Sequence, residues 1–250
     1  MVSTGAVSEE ESMRVSMVRS YGNSARAVER RYGFFMHIAV LMLALMTVAG
    51  PASAPAWADA TKPVKLVVLG DSLSAGLGLP AQEAFPAKLQ KALQAKGIDI
   101  DMTNAGVSGD TASGGRDRLD WSVPDGTEGV IVELGANDAL RGIDPDVTRS
   151  ALTEIVQRLK ARKIPVMLCG MLAPPNYGAD YAARFNSIYP DLAKKFDVPL
   201  YPFFLDGVAA DAKLNQADGI HPTAQGVDII VGNMMPTVEA FLRNISEQRQ

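Results

Sequence analysis

The six residues Val64-Lys65-Leu66-Val67-Val68-Leu69 run straight into Gly70-Asp71-Ser72. A short, nearly continuous apolar run of this kind reads as a strand buried on both faces, and such strands belong to parallel sheets covered by helices. Ligand and catalytic sites of these sheets lie at the carboxyl ends of the strands, so the run delivers one serine to the edge where chemistry takes place. Taken alone, Ser72 has a second reading, as a cap that accepts a bond from a backbone N–H of the helix that follows.

The rest of the chain repeats the same unit. Residues 85–96 carry Phe85, Leu89, Ala92 and Leu93 at helical spacing, and Gly97 ends the helix. Residues 98–103 alternate as a strand and break into the glycine-rich loop Asn104-Ala105-Gly106-Val107-Ser108-Gly109-Asp110-Thr111. A third strand over 129–134 ends in Gly135-Ala136-Asn137-Asp138. Residues 145–162 place Val147, Ala151, Ile155 and Leu159 on one face, with Asp144 as cap and Pro145 at the first helical position. A fourth strand over 165–169 and a loop over 170–178 containing Pro174-Pro175 follow. The pattern then predicts a helix over 181–196 interrupted near Pro190, a short strand over 200–204, and a closing helix over 223–242 bent at Gly232 or Pro236. Five strands alternating with helices through short connections specify a parallel sheet covered on both faces.

The first 58 residues read as a leader rather than part of this fold. Arg30-Arg31 precede an apolar run from Phe34 to Ala49, then Gly50-Pro51 and small residues ending Ala56-Trp57-Ala58. Positive, apolar and small-residue zones in that order form a secretory signal peptide. Cleavage after Ala54 would leave Pro55 at the new terminus, so the expected cut follows Ala58 and residues 59–250 form a single domain. A retained membrane anchor is the competing reading, although the apolar run falls short of spanning length. Of 250 residues, 47% are hydrophobic, enough for one sizeable core. Net charge is −4 without a basic block in the folded part, which argues against a nucleic-acid surface. The single cysteine, Cys169, lies in an apolar run and reads as a buried hydrophobe, so neither an intrachain disulfide nor a cysteine zinc site is available.

Histidine usage narrows the chemistry. The chain has two histidines, and His37 leaves with the leader. The remaining imidazole, His221, sits in Asp218-Gly219-Ile220-His221-Pro222 just before the last helix. A lone histidine is commonly a structural hydrogen-bonding residue. Here an acidic residue three positions earlier reaches Nδ1 across one turn and fixes the tautomer, while Pro222 restrains the backbone before it. A serine hydroxyl needs such a base to act as a nucleophile, and the tetrahedral intermediate it forms needs donors aimed at its oxyanion. The N–H groups of Ser72 and Gly109 and the side-chain amide of Asn137 are donors of the right kind on the right edge.

Gly70-Asp71-Ser72-Leu73-Ser74, Gly109-Asp110-Thr111, Gly135-Ala136-Asn137-Asp138 and Asp218-Gly219-Ile220-His221-Pro222 resemble, in order, the four blocks of the SGNH or GDSL hydrolases. The similarity is greatest to the secreted bacterial thioesterase I, lysophospholipase and arylesterase group. It implies a flavodoxin-like three-layer α/β/α sandwich with a five-stranded parallel sheet and activity on small acyl esters and thioesters; no cofactor is expected, and the ligand count gives no metal site. It also implies Ser72 as nucleophile, His221 as general acid and base, Asp218 as its orienter, and Ser72, Gly109 and Asn137 as the oxyanion hole. Leu140, Ala173, Pro174, Asn176 and Tyr177 are the substrate-contact candidates. One position departs from the group's pattern: Ala173 stands directly before the first proline, where a leucine is expected, so acyl-chain preference does not carry over.

Four rival readings differ in what they require. Gly70, Gly76 and Gly78 lack the spacing of a dinucleotide or phosphate loop. One histidine and scattered carboxylates do not make a catalytic zinc site, so Asp71 and Asp138 read as loop-shaping groups. A carbohydrate acetyl esterase, or a silent periplasmic module binding acyl or glycan ligands, would use the same cleft.

Overall fold

A computed structural model describes residues 62–249; the leader expected over residues 1–58 lies outside the described residues. Five parallel strands, β1 (Val64–Gly70), β2 (Ile100–Gly106), β3 (Gly129–Glu133), β4 (Val166–Cys169) and β5 (Leu200–Tyr201), form one sheet in the order β2-β1-β3-β4-β5. This is the flavodoxin-like order that the resemblance implies. All of β3 and β4 is buried, as is β1 except Lys65, which accounts for their unbroken apolar sequence. Edge strand β2 exposes Asp101, Thr103 and Asn104.

Helices cover both faces. α1 (Ser72–Ala75) and α2 (Phe85–Ala95) follow β1; α3 (Ala112–Asp117) and α4 (Leu119–Ser122) follow β2. Next come α5 (Ala136–Leu140) and α6 (Pro145–Ala161) after β3, α7 (Ala179–Asn186) and α8 (Ile188–Phe196) after β4, and α9 (Ala224–Gln248) after β5. α2 packs with α9, and α6 packs with α3, α7 and α8, leaving the sheet between two helical layers. Asp144 caps α6 by accepting from the Asp146 N–H at 3.1 Å, with Pro145 in the first turn where no N–H is needed.

The structure moves several boundaries. β2 continues through Asn104 to Gly106, because β1 pairs with it as far as Gly70 and Asn104 Oδ1 satisfies the Gly106 N–H at 2.9 Å. The helix expected over 181–196 is two helices, and the break falls at Ser187 rather than at Pro190. A proline clashes with the carbonyl four residues before it, so Pro190 acts at Asn186 while itself sitting in the first turn of α8. β5 stops at Tyr201 because Pro202 cannot donate to the ladder. α9 runs unbroken through Pro236 to Gln248. After it, the Arg249 guanidinium pairs with Glu128 and donates to the carbonyls of Lys62 and Pro63, at 3.4 and 3.3 Å. The first and last described residues thus meet beside the amino end of β1.

Candidate active site

Strand order reverses at β1, between β2 and β3; the loops after these three strands carry Ser72, Gly109 and Asn137, and the segment after β5 brings His221 to them. Asp71 caps α1: its Oδ1 accepts from the Leu73 N–H at 2.9 Å. The capping role considered for Ser72 therefore belongs to its neighbour, which leaves the Ser72 hydroxyl free for another partner. That partner is His221, whose Nε2 lies 2.8 Å from Ser72 Oγ. His221 Nδ1 lies 2.6 Å from Asp218 Oδ2.

The loop carrying His221 is built around the same carboxylate. Asp218 Oδ1 accepts the N–H groups of Ile220 and His221, at 2.9 and 3.0 Å. Those backbone bonds, with the imidazole bond, hold the Asp218 carboxyl down at about 2. It stays ionised while the imidazole takes up and gives back a proton. The His221 carbonyl accepts from the Gln216 N–H at 2.7 Å, and Asn215 bridges to Pro222, so the turn is pinned on both sides.

Ser72, Gly109, Asn137 and His221 open onto one cavity of about 610 Å³. Gly109 has φ +86° as the third residue of a turn closed by the Asp110 N–H on the Val107 carbonyl at 3.1 Å, a place that glycine fills without strain. Neither the Ser72 nor the Gly109 N–H has an acceptor among the described residues. The Asn137 amide is engaged instead: Nδ2 donates to Asp71 Oδ2 at 3.1 Å and to the Asp110 carbonyl at 3.0 Å. An oxyanion entering the cavity would take a share of one of those two hydrogens.

The substrate-contact candidates separate. Leu140, Ala173 and Pro174 line the cavity together with Met171, Phe203 and Leu205. Asn176 and Tyr177 lie outside its lining. The Tyr177 hydroxyl donates to the Leu140 carbonyl at 2.8 Å, and its ring lies where a Cβ on Gly142 would stand, so it props the turn after α5.

Beneath the loops lie groups that the sequence reading passed over. Glu133, the last residue of β3, accepts from Ser74 Oγ at 2.6 Å and the Asp71 N–H at 3.4 Å, while its Oε1 has no partner among the described residues. Full burial, with the Asp71 carboxyl beside it, pushes Glu133 well above the usual carboxylate range, and burial lifts Asp71 to about 6. Gly70 makes room for this group, since a Cβ there would stand 2.2 Å from Ser74 Oγ and 2.6 Å from Glu133 Oε2. Arg118 is the second. It is buried, donates to Asp110 Oδ2 at 2.6 Å, and also donates to the carbonyls of Gly70 and Ala105, both at 2.8 Å. One guanidinium thus ties the ends of β1 and β2 to the Gly109 loop. A lone glutamate closing the apolar run Val130-Ile131-Val132 was the available signal for Glu133; Arg118, among exposed charges in sequence, had none. Asp138 accepts from the Ala112 N–H and Thr148 Oγ1, both at 2.9 Å, which makes it the loop-shaping group expected.

An alcohol, an imidazole and a carboxylate in hydrogen-bond series at the carboxyl edge of a parallel sheet is the arrangement of the α/β serine hydrolases. The sequence profile of the GDSL-like lipase/acylhydrolase family matches residues 68–229, and the chain belongs to that family. It is 39% identical over 178 residues to esterase TesA of Pseudomonas aeruginosa PAO1, a match covering 71% of this chain and 89% of that one. It is 38% identical over 214 residues to thioesterase 1/protease 1/lysophospholipase L1 of Escherichia coli K12, covering 85% and 97%. The crystal structure of AlinE4, an SGNH-hydrolase family esterase, superposes with a TM-score of 0.62 at 46% identity, covering 72% of this chain and 97% of that one.

Proposed function

We propose that the protein hydrolyses acyl esters and thioesters through an acyl-enzyme on Ser72. The observation that carries this reading is the pair of bonds joining Asp218 Oδ2, His221 Nδ1, His221 Nε2 and Ser72 Oγ, at 2.6 and 2.8 Å, with Ser72 facing the cavity. His221 Nε2 takes the hydroxyl proton as Oγ attacks the acyl carbon, and Asp218 stabilises the imidazolium. The oxyanion accepts from the N–H groups of Ser72 and Gly109 and from the Asn137 amide. Collapse of the intermediate passes the proton from His221 to the leaving oxygen or sulfur. Water, deprotonated by His221, then releases the acid and restores the serine.

The lining favours an acyl chain over a sugar. Leu140, Met171, Leu172, Phe203, Leu205 and Ile220 present apolar surface with little to hydrogen-bond a pyranose. Medium-chain aryl esters, thioesters and lysophospholipids are accordingly the substrate class, ahead of acetylated xylan. The enzyme works in the periplasm or outside the cell after loss of residues 1–58. The zoned leader sequence supports export, and no helix among the described residues is long and apolar enough to cross a membrane.

The test is to treat the protein with an organophosphonate and to measure p-nitrophenyl butyrate hydrolysis by wild type and S72A. Labelling at Ser72, with activity falling about 10⁴- to 10⁶-fold in S72A, is expected. An unlabelled serine, or equal turnover by S72A, would sink the assignment.

A further inference from the structure

We propose that Arg141 is a positioning residue that orients two of the three oxyanion donors, an inference that rests on the ester-hydrolase reading above. Arg141 follows Asn137 by one helical turn, its backbone N–H donating to the Asn137 carbonyl at 3.1 Å. That spacing brings Nη2 to 2.9 Å from the Gly109 carbonyl and 3.4 Å from Asn137 Oδ1. The same nitrogen therefore touches both residues that, with Ser72, supply the hole.

Each contact removes a freedom that the chemistry cannot tolerate. A primary amide has two orientations related by a half-turn, and only one turns N–H hydrogens toward the cavity. The donor at Oδ1 selects that orientation from one end, and the acceptors Asp71 Oδ2 and the Asp110 carbonyl select it from the other. In the Val107–Asp110 turn, the middle peptide carries the Gly109 N–H, and rotation of that peptide would swing the donor away. Holding the Gly109 carbonyl restrains the residue on which the peptide turns. A cation on the amide oxygen also polarises the amide N–H groups toward an acceptor.

Arg141 is exposed and makes no ion pair among the described residues, so removing it opens no hole in the core. Burial raises the Asp138 carboxyl and the Arg141 charge lowers it; that carboxyl keeps its own bonds to the Ala112 N–H and Thr148 Oγ1. A loss of turnover on its removal can then be separated from a loss of folding.

The test compares wild type, R141M, R141K, N137A and the double variant N137A/R141M on p-nitrophenyl butyrate, and follows their inactivation by diethyl p-nitrophenyl phosphate. R141M should lower kcat about tenfold with KM unchanged, less than the roughly 10²- to 10³-fold cost of losing a donor outright. Inactivation should slow by a similar factor, guanidinium chloride at concentrations that do not unfold the protein should restore part of both rates, and R141K should fall between. In the N137A background the same substitution should cost much less, because one of its two targets is gone. Unchanged kcat in R141M, a rise in KM alone, or full additivity with N137A would overturn the positioning role while leaving the hydrolase intact. A wild-type protein inert to both reagents would overturn the hydrolase reading and this role with it.

Discussion

Two carboxyl groups, Glu133 beneath the serine loop and Asp218 in the histidine loop, pull the stability in opposite directions with pH. Glu133 is held well above the ordinary carboxylate range, so the neutral acid is the form that suits the fold. Its contribution is intact below the unfolded value of 4.5 and is lost as pH rises toward the folded value. Asp218, held at about 2, behaves oppositely: its contribution is present above 3.8 and disappears as pH falls toward 2. E133Q removes the first dependence, so its melting temperature should exceed that of wild type more at pH 8 than at pH 5 in calorimetry. Parallel curves would show that Glu133 does not titrate as described. Among the proposed oxyanion donors, Asn137→Ala should lower kcat about 10²- to 10³-fold with little change in melting temperature, read from p-nitrophenyl butyrate kinetics. The legible residues were those for which the sequence offers few alternatives: His221 is the one imidazole after residue 58, and Gly109 stands in a glycine-rich loop at a strand's carboxyl end, within a block that resembles the family's. Arg118 and Arg141 were not legible, because a guanidinium's partners are set by loops that meet only in the folded chain.

At the scale of the element, the strand-end loops owe their shape to a few long-range ties. Arg118 spans the ends of β1 and β2 and neutralises Asp110. Arg118→Met leaves that carboxylate half-buried and unpaired, and should cost about 3 kcal/mol in urea unfolding, the scale for breaking a buried ion pair. Gly232 points the other way. It lies inside α9, a Cβ there meets nothing within 4 Å, and its carbonyl is the one that the Pro236 ring displaces. Gly232→Ala should therefore stabilise the protein by about 0.5–1 kcal/mol, measured in the same way. Periodicity located the long helices because their buried faces repeat every three to four residues. It missed α3, α4 and α5, each too short for a period to register. Pro190 was readable as a break, but its steric effect falls on the carbonyl of Asn186, which is why the helix divides upstream of the proline itself.

For the molecule as a whole, the sheet order separates the working edge from the edge where the chain enters and leaves. Intact mass of the exported protein should correspond to an amino terminus at Asp59, and a chain beginning there should retain full esterase activity. A longer exported form would move the cleavage site or favour an anchor. The alternation of strand and helix was enough to specify parallel layers, whereas the order in which strands pair came from the family resemblance, since hydropathy does not record neighbours. Arg249 draws the last turn of the chain onto the carbonyls of Lys62 and Pro63. In a chain starting at Lys62, any carrier, bead or surface joined before Lys62 or after Arg249 would consequently hang below the sheet, leaving the cleft turned outward to meet bulky or aggregated substrates. A short bridge between those neighbouring ends would let the chain be reopened elsewhere without disturbing the catalytic rim.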